Sequence, residues 1–343
     1  MFNDDTTPEA PDDAGVFAPP KRRTAWSASD LMAAHFPEPK WAVPGMICEG
    51  VNLFCGPPKV GKSWASLGLA LDIAAGTQAF GSIPVDQGDV LYLALEDTAR
   101  RLQSRMRTLL AGAPAPEDLT IVTECPRLDN GGAEMIDGWL TAHPAARLVV
   151  VDVFAKVRPA AAHGSNAYDA DYAAIGAIKR LADRHAVAFL VVHHVRKAGS
   201  DDFLSEVSGT NGIAGAADAT LVLKRGRGKA DGLLHITGRD VEEVEHAFSF
   251  DPARGAWRLL DGDPRKLQAT DNHTTVHDWL SDNPESGPTA IAAGTGLNPE
   301  SVKTTLRRGA EDGWFTQRRR GRWVAVDSGT EAQPIWDPAE ATP

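Results

Sequence analysis

The sequence predicts an α/β fold with a mostly parallel sheet flanked by helices, followed by a smaller C-terminal unit. Near-continuous apolar runs recur through the first 260 residues, and helical patterns separate most of the early ones. Such runs are typical of strands buried on both faces of a parallel sheet. The composition then breaks at residues 261–264, which read Asp-Gly-Asp-Pro and predict a linker.

The elements follow in order along the chain. Residues 1–24 are rich in Asp, Pro, Thr and Ala and predict a disordered tail, and residues 27–36 predict a short capped helix. The predicted strands are 51–55, 90–95, 119–122, 148–154, 188–194, 219–225 and 233–239. The last two lie close together, which predicts an antiparallel hairpin around residues 226–232. The predicted domains are 25–260 and 273–327, with a linker at 261–272 and a second disordered tail at 328–343.

Composition limits the classes of function. The formal net charge is -11, so any contact with nucleic acid must come from local basic patches. The three cysteines, Cys48, Cys55 and Cys125, form no CxxC pair, which argues against a zinc site or a disulfide framework. The N-terminus lacks the apolar segment of a signal peptide, and no apolar run reaches the ~18–20 residues that span a bilayer. These features predict a soluble, cytoplasmic protein without membrane contact.

Residues 56–63 read GPPKVGKS and match the P-loop pattern GxxxxGK[ST]. A predicted strand precedes them and a predicted helix follows from Lys62 to about Ala75, so a chance glycine-rich turn is the weaker interpretation. Backbone N–H groups and the helix N-terminus would bind the phosphates of a nucleotide, with ATP expected. Lys62 would reach the β- and γ-phosphates, and the Ser63 hydroxyl would hold Mg²⁺. The expected nucleotide contacts are Gly56, Pro57, Pro58, Lys59, Val60, Gly61, Lys62, Ser63 and Trp64.

Two acidic residues follow predicted strands of the same sheet. Asp152 ends the run 148–151 and is the expected Mg²⁺-side carboxylate, with a helix N-cap as the alternative. Many P-loop ATPases place a glutamate directly after this aspartate, but Val153 stands there. Glu96 is therefore the candidate that orients the attacking water, unless it only caps the helix that begins near Thr98. Asp97 beside it is expected to point to the other side.

His193 and His194 end the predicted strand 188–194. A polar side chain at this strand end is able to contact the γ-phosphate, and a hydrogen-bonded loop histidine is the alternative.

Residues 56–63, the LALED of 93–97, the VVVD of 149–152 and the VVHH of 191–194 together resemble the RecA-type ATPases. Within them, residues 41–76 are similar to the hexameric replicative helicases of the plasmid and phage RepA kind, which are related to DnaB. The resemblance covers about residues 27–260. It implies that Glu96 is the catalytic glutamate and that His194 senses the γ-phosphate. It also implies a further site arginine at Arg105, with Arg100 and Arg101 as rivals.

Such ATPases are completed by an arginine from a neighbouring subunit. Arg225 and Arg239 are the candidates, since each ends a late predicted strand and the two strands would form a hairpin. Arg239 stands where DnaB-like proteins carry a Lys-x-Arg pair, although Thr237 replaces the lysine. A surface salt bridge is the alternative for both. Loops that would line a ring channel and contact single-stranded DNA carry Lys156, Arg158, Arg196 and Lys197, with a solvated surface as the alternative.

The C-terminal unit reads as a winged helix-turn-helix. Helices are predicted at 275–282, 288–293 and 299–312, with Val302, Leu306 and Ala310 as the buried stripe of the third, and a hairpin follows to residue 326. Seven basic residues against two acidic ones over residues 303–323 favour DNA binding; an acidic protein partner is the alternative. The basic residues are Lys303, Arg307, Arg308, Arg318, Arg319, Arg320 and Arg322.

These features predict an ATP-hydrolysing homo-oligomer, expected to be a hexameric DNA helicase that replicates a plasmid or a phage. Two alternatives stay open. The first is a DNA-bound ATPase that regulates or loads without unwinding, and the second is a recombinase-like filament.

Overall fold

The computed structural model describes residues 25–159, 167–194, 211–225, 232–262, 264 and 271–326. Contacts between Cα atoms divide the chain into two compact units, Met1–Glu38 and Pro39–Pro343. The described part of the first unit holds one short helix, α1 (Ala28–Ala33), whose N-cap Ser27 accepts a hydrogen bond from the backbone N–H of Asp30. This helix confirms the capped element expected at 27–36. Both predicted disordered tails lie outside the described residues.

A nine-stranded sheet organises the second unit, in the order β13-β12-β11-β10-β3-β9-β8-β6-β7. Six strands run parallel, from β10 to β7 in that order, and β11 to β13 extend the sheet with antiparallel pairs. The strands are β3 (Gly50–Gly56), β6 (Val90–Ala94), β7 (Leu119–Val122), β8 (Leu148–Asp152), β9 (Ala188–His194), β10 (Ala219–Lys224), β11 (Gly232–Gly238), β12 (Val244–Asp251) and β13 (Ala256–Leu259). Two small hairpins stand apart from it, β1 (Trp41–Val43) with β2 (Ile47–Cys48) and β4 (Gln78–Ala79) with β5 (Ile83–Pro84).

Helices cover both faces of this sheet, as its apolar parallel strands require. They are α2 (Lys62–Ala75), α3 (Ala99–Leu110), α4 (Ala133–Ala142), α5 (Phe154–Val157), α6 (Ala167–His185) and α7 (Asn211–Ala216). One buried cluster packs α2 against one face, with Leu67 and Ile73 fully enclosed. A second cluster packs α4 and α6 on the other face through Ile136 and Ile175. Among the helices that the structure describes, none is both long and apolar enough to cross a membrane.

Three helices and a hairpin form the C-terminal part of the chain. They are α8 (Asp271–Asp282), α9 (Pro288–Thr295), α10 (Pro299–Glu311), β14 (Phe315–Arg319) and β15 (Arg322–Ala325). Their side chains share a small core that includes Val276, Leu306 and Phe315. Asn298 caps α10 by accepting a hydrogen bond from the N–H of Glu300, and Pro299 opens the helix, as the sequence indicates.

The predicted parallel sheet flanked by helices is confirmed, and so is the hairpin of β10 and β11. The sequence analysis missed β12 and β13, because most of their residues are only partly buried and neither strand has a long apolar run. The predicted stripe of α10 was wrong at Ala310, which is exposed. Gly309 is buried in its place, since the aromatic ring of Phe315 leaves no room there for a side chain.

Candidate functional site

The phosphate-binding turn lies between β3 and α2, at the carboxyl edge of the parallel strands. Gly61 is the N-cap of α2 and has a φ of +111°, a left-handed conformation that side chains disfavour. The first turn of α2 therefore leaves its backbone N–H groups directed out of the helix end. Such groups, together with the helix dipole, form an anion-binding site.

Lys62 lies folded against this turn, with only 3% of its surface exposed. Its ammonium group donates to the carbonyl oxygens of Gly56, at 2.7 Å, and Pro57, at 3.1 Å. The ammonium nitrogen also lies 3.1 Å from Nδ1 of His194. Burial lowers the pKa of Lys62 to about 8, because a charged ammonium is poorly solvated in this position. The positive charge is thus held at the mouth of the turn, between the P-loop and the end of β9.

Asp152 ends β8 and is 7% exposed. The hydroxyl of Tyr92 donates to its Oδ2 at 2.8 Å, and the hydroxyl of Ser66 lies 3.0 Å from that of Tyr92. Burial raises the pKa of Asp152, while hydrogen bonds from Tyr92 and Ser63 oppose that shift. The Ser63 hydroxyl and the Asp152 carboxylate therefore face each other. Oxygen donors of this kind suit Mg²⁺, so these two residues fit the ion that a P-loop site requires.

Glu96 stands two residues beyond the end of β6, not at the end of the strand itself. Its carboxylate is half exposed, and Oε2 lies 3.9 Å from Nε2 of His194. His194 thus stands between Lys62 and Glu96. Burial, and then the charge of Lys62, lowers the pKa of His194, so its ring is neutral at pH 7. Burial lowers the pKa of His193 to about 4, and the ring of His193 packs edge-on against Phe154.

A cavity of about 170 Å³ opens beside Ser63 and Asp152. Asp97 lines it together with Glu96, so the expectation that Asp97 points to the other side was wrong. Its carboxylate pairs with Arg101 at 2.5 Å and with Arg105 at 2.7 Å. The two arginines hold Asp97 inward because they rise from the first turns of α3, directly after the acidic pair. Arg100, the third candidate, is exposed.

Comparison with known proteins agrees with this geometry. A family described as AAA domain matches residues 18–200, which is more than half of the 343 residues. The chain belongs to the AAA domain family. Its fold matches a solved structure described as an ATPase domain, with a TM-score of 0.51 and 15% identity, over 62% of this chain and 85% of that one. A DnaB-like replicative helicase, solved to study its interactions with primase, matches with a TM-score of 0.51 and 14% identity.

That second match covers 62% of this AAA domain chain and 58% of the helicase chain. At such identities the two matches establish a shared fold. With the family match they confirm the resemblance to RecA-type P-loop ATPases of the DnaB-like kind. The AAA domain chain accordingly has a nucleotide-binding fold, with the P-loop at the place where this fold binds phosphates.

The two arginine-finger candidates of the AAA domain chain, Arg225 and Arg239, lie at opposite ends of the strands of its sheet. Arg225 follows β10 at the P-loop edge, and its guanidinium lies 5.3 Å from the ring centre of Phe250 and 6.0 Å from that of Trp257. Arg239 follows β11 at the other edge, where it pairs with Asp218 at 3.4 Å. The hairpin between them is about 20 Å long at ~3.3 Å per residue. The two candidates therefore lie at opposite ends of the hairpin, and the choice between them as an arginine finger stays a prediction.

The candidate DNA-contacting residues divide by position. Lys156 is exposed, on the one-turn helix α5, and Arg158 follows it and is half-buried. The described start of the loop expected after Asp152 is a short helix, in which Phe154 and Val157 are buried in the core. Arg196 and Lys197 lie outside the described residues.

All seven basic residues of α10 and its hairpin have exposed side chains. Lys303 donates to Glu300 at 2.8 Å, and Arg322 donates to the carbonyl of Glu285 at 3.4 Å.

Sequence reasoning missed three residues of this site. Ser66 and Tyr92 orient Asp152, and the only signal was a tyrosine inside an otherwise apolar strand. The indole N–H of Trp257 donates to the carbonyl of Gly61 at 3.2 Å. Nothing in the sequence indicates this contact, because 196 positions separate the two residues.

Proposed function

We propose that this protein hydrolyses ATP with Mg²⁺ at the P-loop. The observation that carries the proposal is the convergence of Lys62, Asp152, Glu96 and His194 on one end of the sheet. These residues offer the charge, metal-ligand and base functions that phosphoryl transfer requires. Supporting evidence comes from the AAA domain family and from the shared fold.

Each side chain has a distinct proposed role. Lys62 turns from the carbonyls of Gly56 and Pro57 to the β- and γ-phosphates, where its charge opposes the negative charge that develops. Ser63 and Asp152 would hold Mg²⁺, which would supply positive charge against the phosphates. Glu96 orients the attacking water and accepts its proton. His194, which lies between Lys62 and Glu96, contacts the γ-phosphate and reports its presence.

Beyond hydrolysis, we infer an oligomeric DNA motor, a helicase for plasmid or phage replication that assembles as a hexameric ring. Arg239 would complete the site of a neighbouring subunit, while Lys156 and Arg158, with Arg196 and Lys197, would face single-stranded DNA. The C-terminal helices and hairpin would act as a winged helix on duplex DNA. Its exposed basic side chains support that role, because they form a local basic patch in a chain whose net charge is -11.

The same basic surface favours a second candidate, an ATPase that binds duplex DNA and regulates or loads other proteins. Such a protein would hydrolyse ATP slowly and prefer duplex to single-stranded DNA. This basic surface does not support the recombinase-like alternative.

Strand displacement on a forked DNA substrate separates these functions. We expect ATP-dependent unwinding by the wild type and none by Lys62→Ala, with Lys40→Ala as the control, since Lys40 is exposed and lies outside the P-loop. Hydrolysis without unwinding would exclude the helicase and favour the regulator. If neither activity occurs and Mg-ATP does not bind, the proposed ATPase is wrong.

The role of Glu96 has its own test. Glu96→Gln should bind Mg-ATP with unchanged affinity and lose turnover by roughly 10²-fold or more, as expected for loss of a general base. Asp97→Asn is the matched control and should keep most turnover, since Asp97 is occupied by Arg101 and Arg105. Full turnover by Glu96→Gln would assign the water-orienting role elsewhere.

A further inference from the structure

The last antiparallel strand of the sheet contacts the P-loop. β13 lies four strands from β3 in the sheet order, which in a flat sheet is about 19 Å away at ~4.8 Å per strand. β13 nevertheless packs on α2 and places Trp257 against Gly61. Trp257 is 5% exposed and is fixed by Phe250, whose ring centre is 5.1 Å away.

The Gly61 carbonyl is the point of contact. It accepts hydrogen bonds from the N–H groups of Trp64 and Ala65, at 3.1 and 3.0 Å, and from the indole N–H of Trp257. In a trans peptide the carbonyl and the following N–H point in opposite directions. Holding the Gly61 oxygen on the helix side therefore directs the N–H of Lys62 outward, to the side where the loop binds an anion.

The indole also explains why this loop position must be glycine. A Cβ atom on Gly61 would lie 2.9 Å from Nε1 of Trp257, and the φ of +111° disfavours any side chain. The ring thus fills the space behind the loop as well as bonding to it. Arg225 lies over the same aromatic pair of its own chain.

We propose that Trp257 is a positioning residue for the phosphate-binding loop, acting through the Gly61 carbonyl. This inference rests on the proposed nucleotide-binding function and assigns a role to the antiparallel end of the sheet. It differs from an aromatic contact with the base of the nucleotide, since the group involved is the indole N–H and the affected ligand group is the phosphate.

The test compares two ligands that share phosphates but not a base, Mg-ATP and Mg-tripolyphosphate. Trp257→Phe keeps an aromatic ring and removes the N–H. Its dissociation constants for both ligands should rise by the same factor, roughly three- to tenfold for one neutral hydrogen bond. Trp139→Phe is the matched control, because its indole donates to the Thr120 hydroxyl at 3.3 Å, away from the loop. That variant should leave both constants unchanged.

A second substitution keeps the test valid if the Trp257→Phe variant folds poorly. Trp257→3-benzothienylalanine retains the two fused rings and replaces the N–H with sulfur, so it should weaken both ligands like Trp257→Phe. Unchanged affinities for both ligands would overturn the inference and leave the proposed function standing. Weakened binding of Mg-ATP alone would also overturn it and would assign Trp257 to the base. If the wild type binds neither ligand, the proposed function itself fails.

Discussion

At the scale of single residues, burial determines the chemical properties of the site residues as much as the sequence motif does. The pattern GxxxxGK[ST] identifies Lys62 and Ser63, but the pKa of Lys62 depends on the surrounding core. Burial lowers that pKa from 10.5 to about 8, so between these values the unfolded chain keeps a proton that the folded chain releases. The buried charge destabilises the folded state at pH 7, and this penalty declines as the pH rises through that interval.

The lowered pKa predicts proton uptake when nucleotide binds at high pH. Phosphate contact stabilises the charged ammonium and raises the pKa of Lys62. At pH 9 the free protein has mostly lost this proton and the complex retains it, so binding should take up close to one proton. Calorimetry of Mg-ATP binding in buffers of different ionisation enthalpy measures that uptake.

Arginine provides the control, because its guanidinium stays protonated at pH 9. Lys62→Arg should bind without proton uptake, while Lys40→Arg, at an exposed position outside the P-loop, should behave as the wild type does. Equal uptake by the wild type and Lys62→Arg would show that another group titrates.

The site residues that the sequence indicated lie in the P-loop, at the ends of strands or just beyond those ends. Asp152 and His194 could be located because apolar strands end there and parallel strands share an edge. Tyr92 and Trp257 could not be located in this way. Their roles depend on hydrogen bonds across the fold, to Asp152 and to Gly61, that local patterns do not encode.

At the scale of elements, α10 shows how one position controls the packing of the C-terminal helices. Gly309 lies on its buried face, where a Cβ atom would be too close to the ring of Phe315. Gly309→Val should therefore destabilise this part of the chain by about 1–3 kcal/mol, the usual effect of overpacking. Hydrogen exchange of residues 271–326 should show faster exchange than in the wild type.

Ala310→Val is the matched control, since residue 310 is exposed on the same helix. It should leave exchange close to that of the wild type. Similar exchange in the two variants would contradict the packing of Gly309 against Phe315.

The sequence predicted the helices and strands whose residues form one clear pattern, and it missed those whose residues form a mixed pattern. The parallel strands were recognisable because burial on both faces makes them continuously apolar. The helix of α10 was recognisable from its Asn298–Pro299 start, but the choice between Gly309 and Ala310 as the buried position required the location of Phe315. β12 carries Glu245 and His246 beside apolar residues, and this mixture hid the strand.

At the scale of the whole molecule, the position of Arg239 predicts a site shared between subunits. Arg239 lies at the end of the sheet away from the P-loop of its own chain, where it pairs with Asp218, so any role as an arginine finger would be in a neighbour's site. Arg239→Ala should lower turnover by roughly 10³-fold, as loss of an arginine finger does. Mixing it with Lys62→Ala chains should restore turnover, because the second chain supplies an intact arginine.

Arg225→Ala is the control for this mixing experiment. Arg225 lies against Phe250 and Trp257 of its own chain, so its loss should not be complemented by Lys62→Ala chains. Steady-state hydrolysis at a constant total protein concentration measures both cases. Absence of complementation for Arg239→Ala would contradict a shared site.

The opposite placement of the P-loop and Arg239 also constrains symmetry. In a pair of chains related by a two-fold axis, residue i of one chain contacts residue j of the other and the reverse, so Arg239 of each chain would meet the P-loop of the other and the pair would be closed. Where no two-fold axis relates the chains, a contact that joins Arg239 to a P-loop is head-to-tail and leaves one unused contact surface at each end of an open assembly. Every copy added repeats the same directed step, so the assembly either closes on itself or continues to grow with a defined polarity.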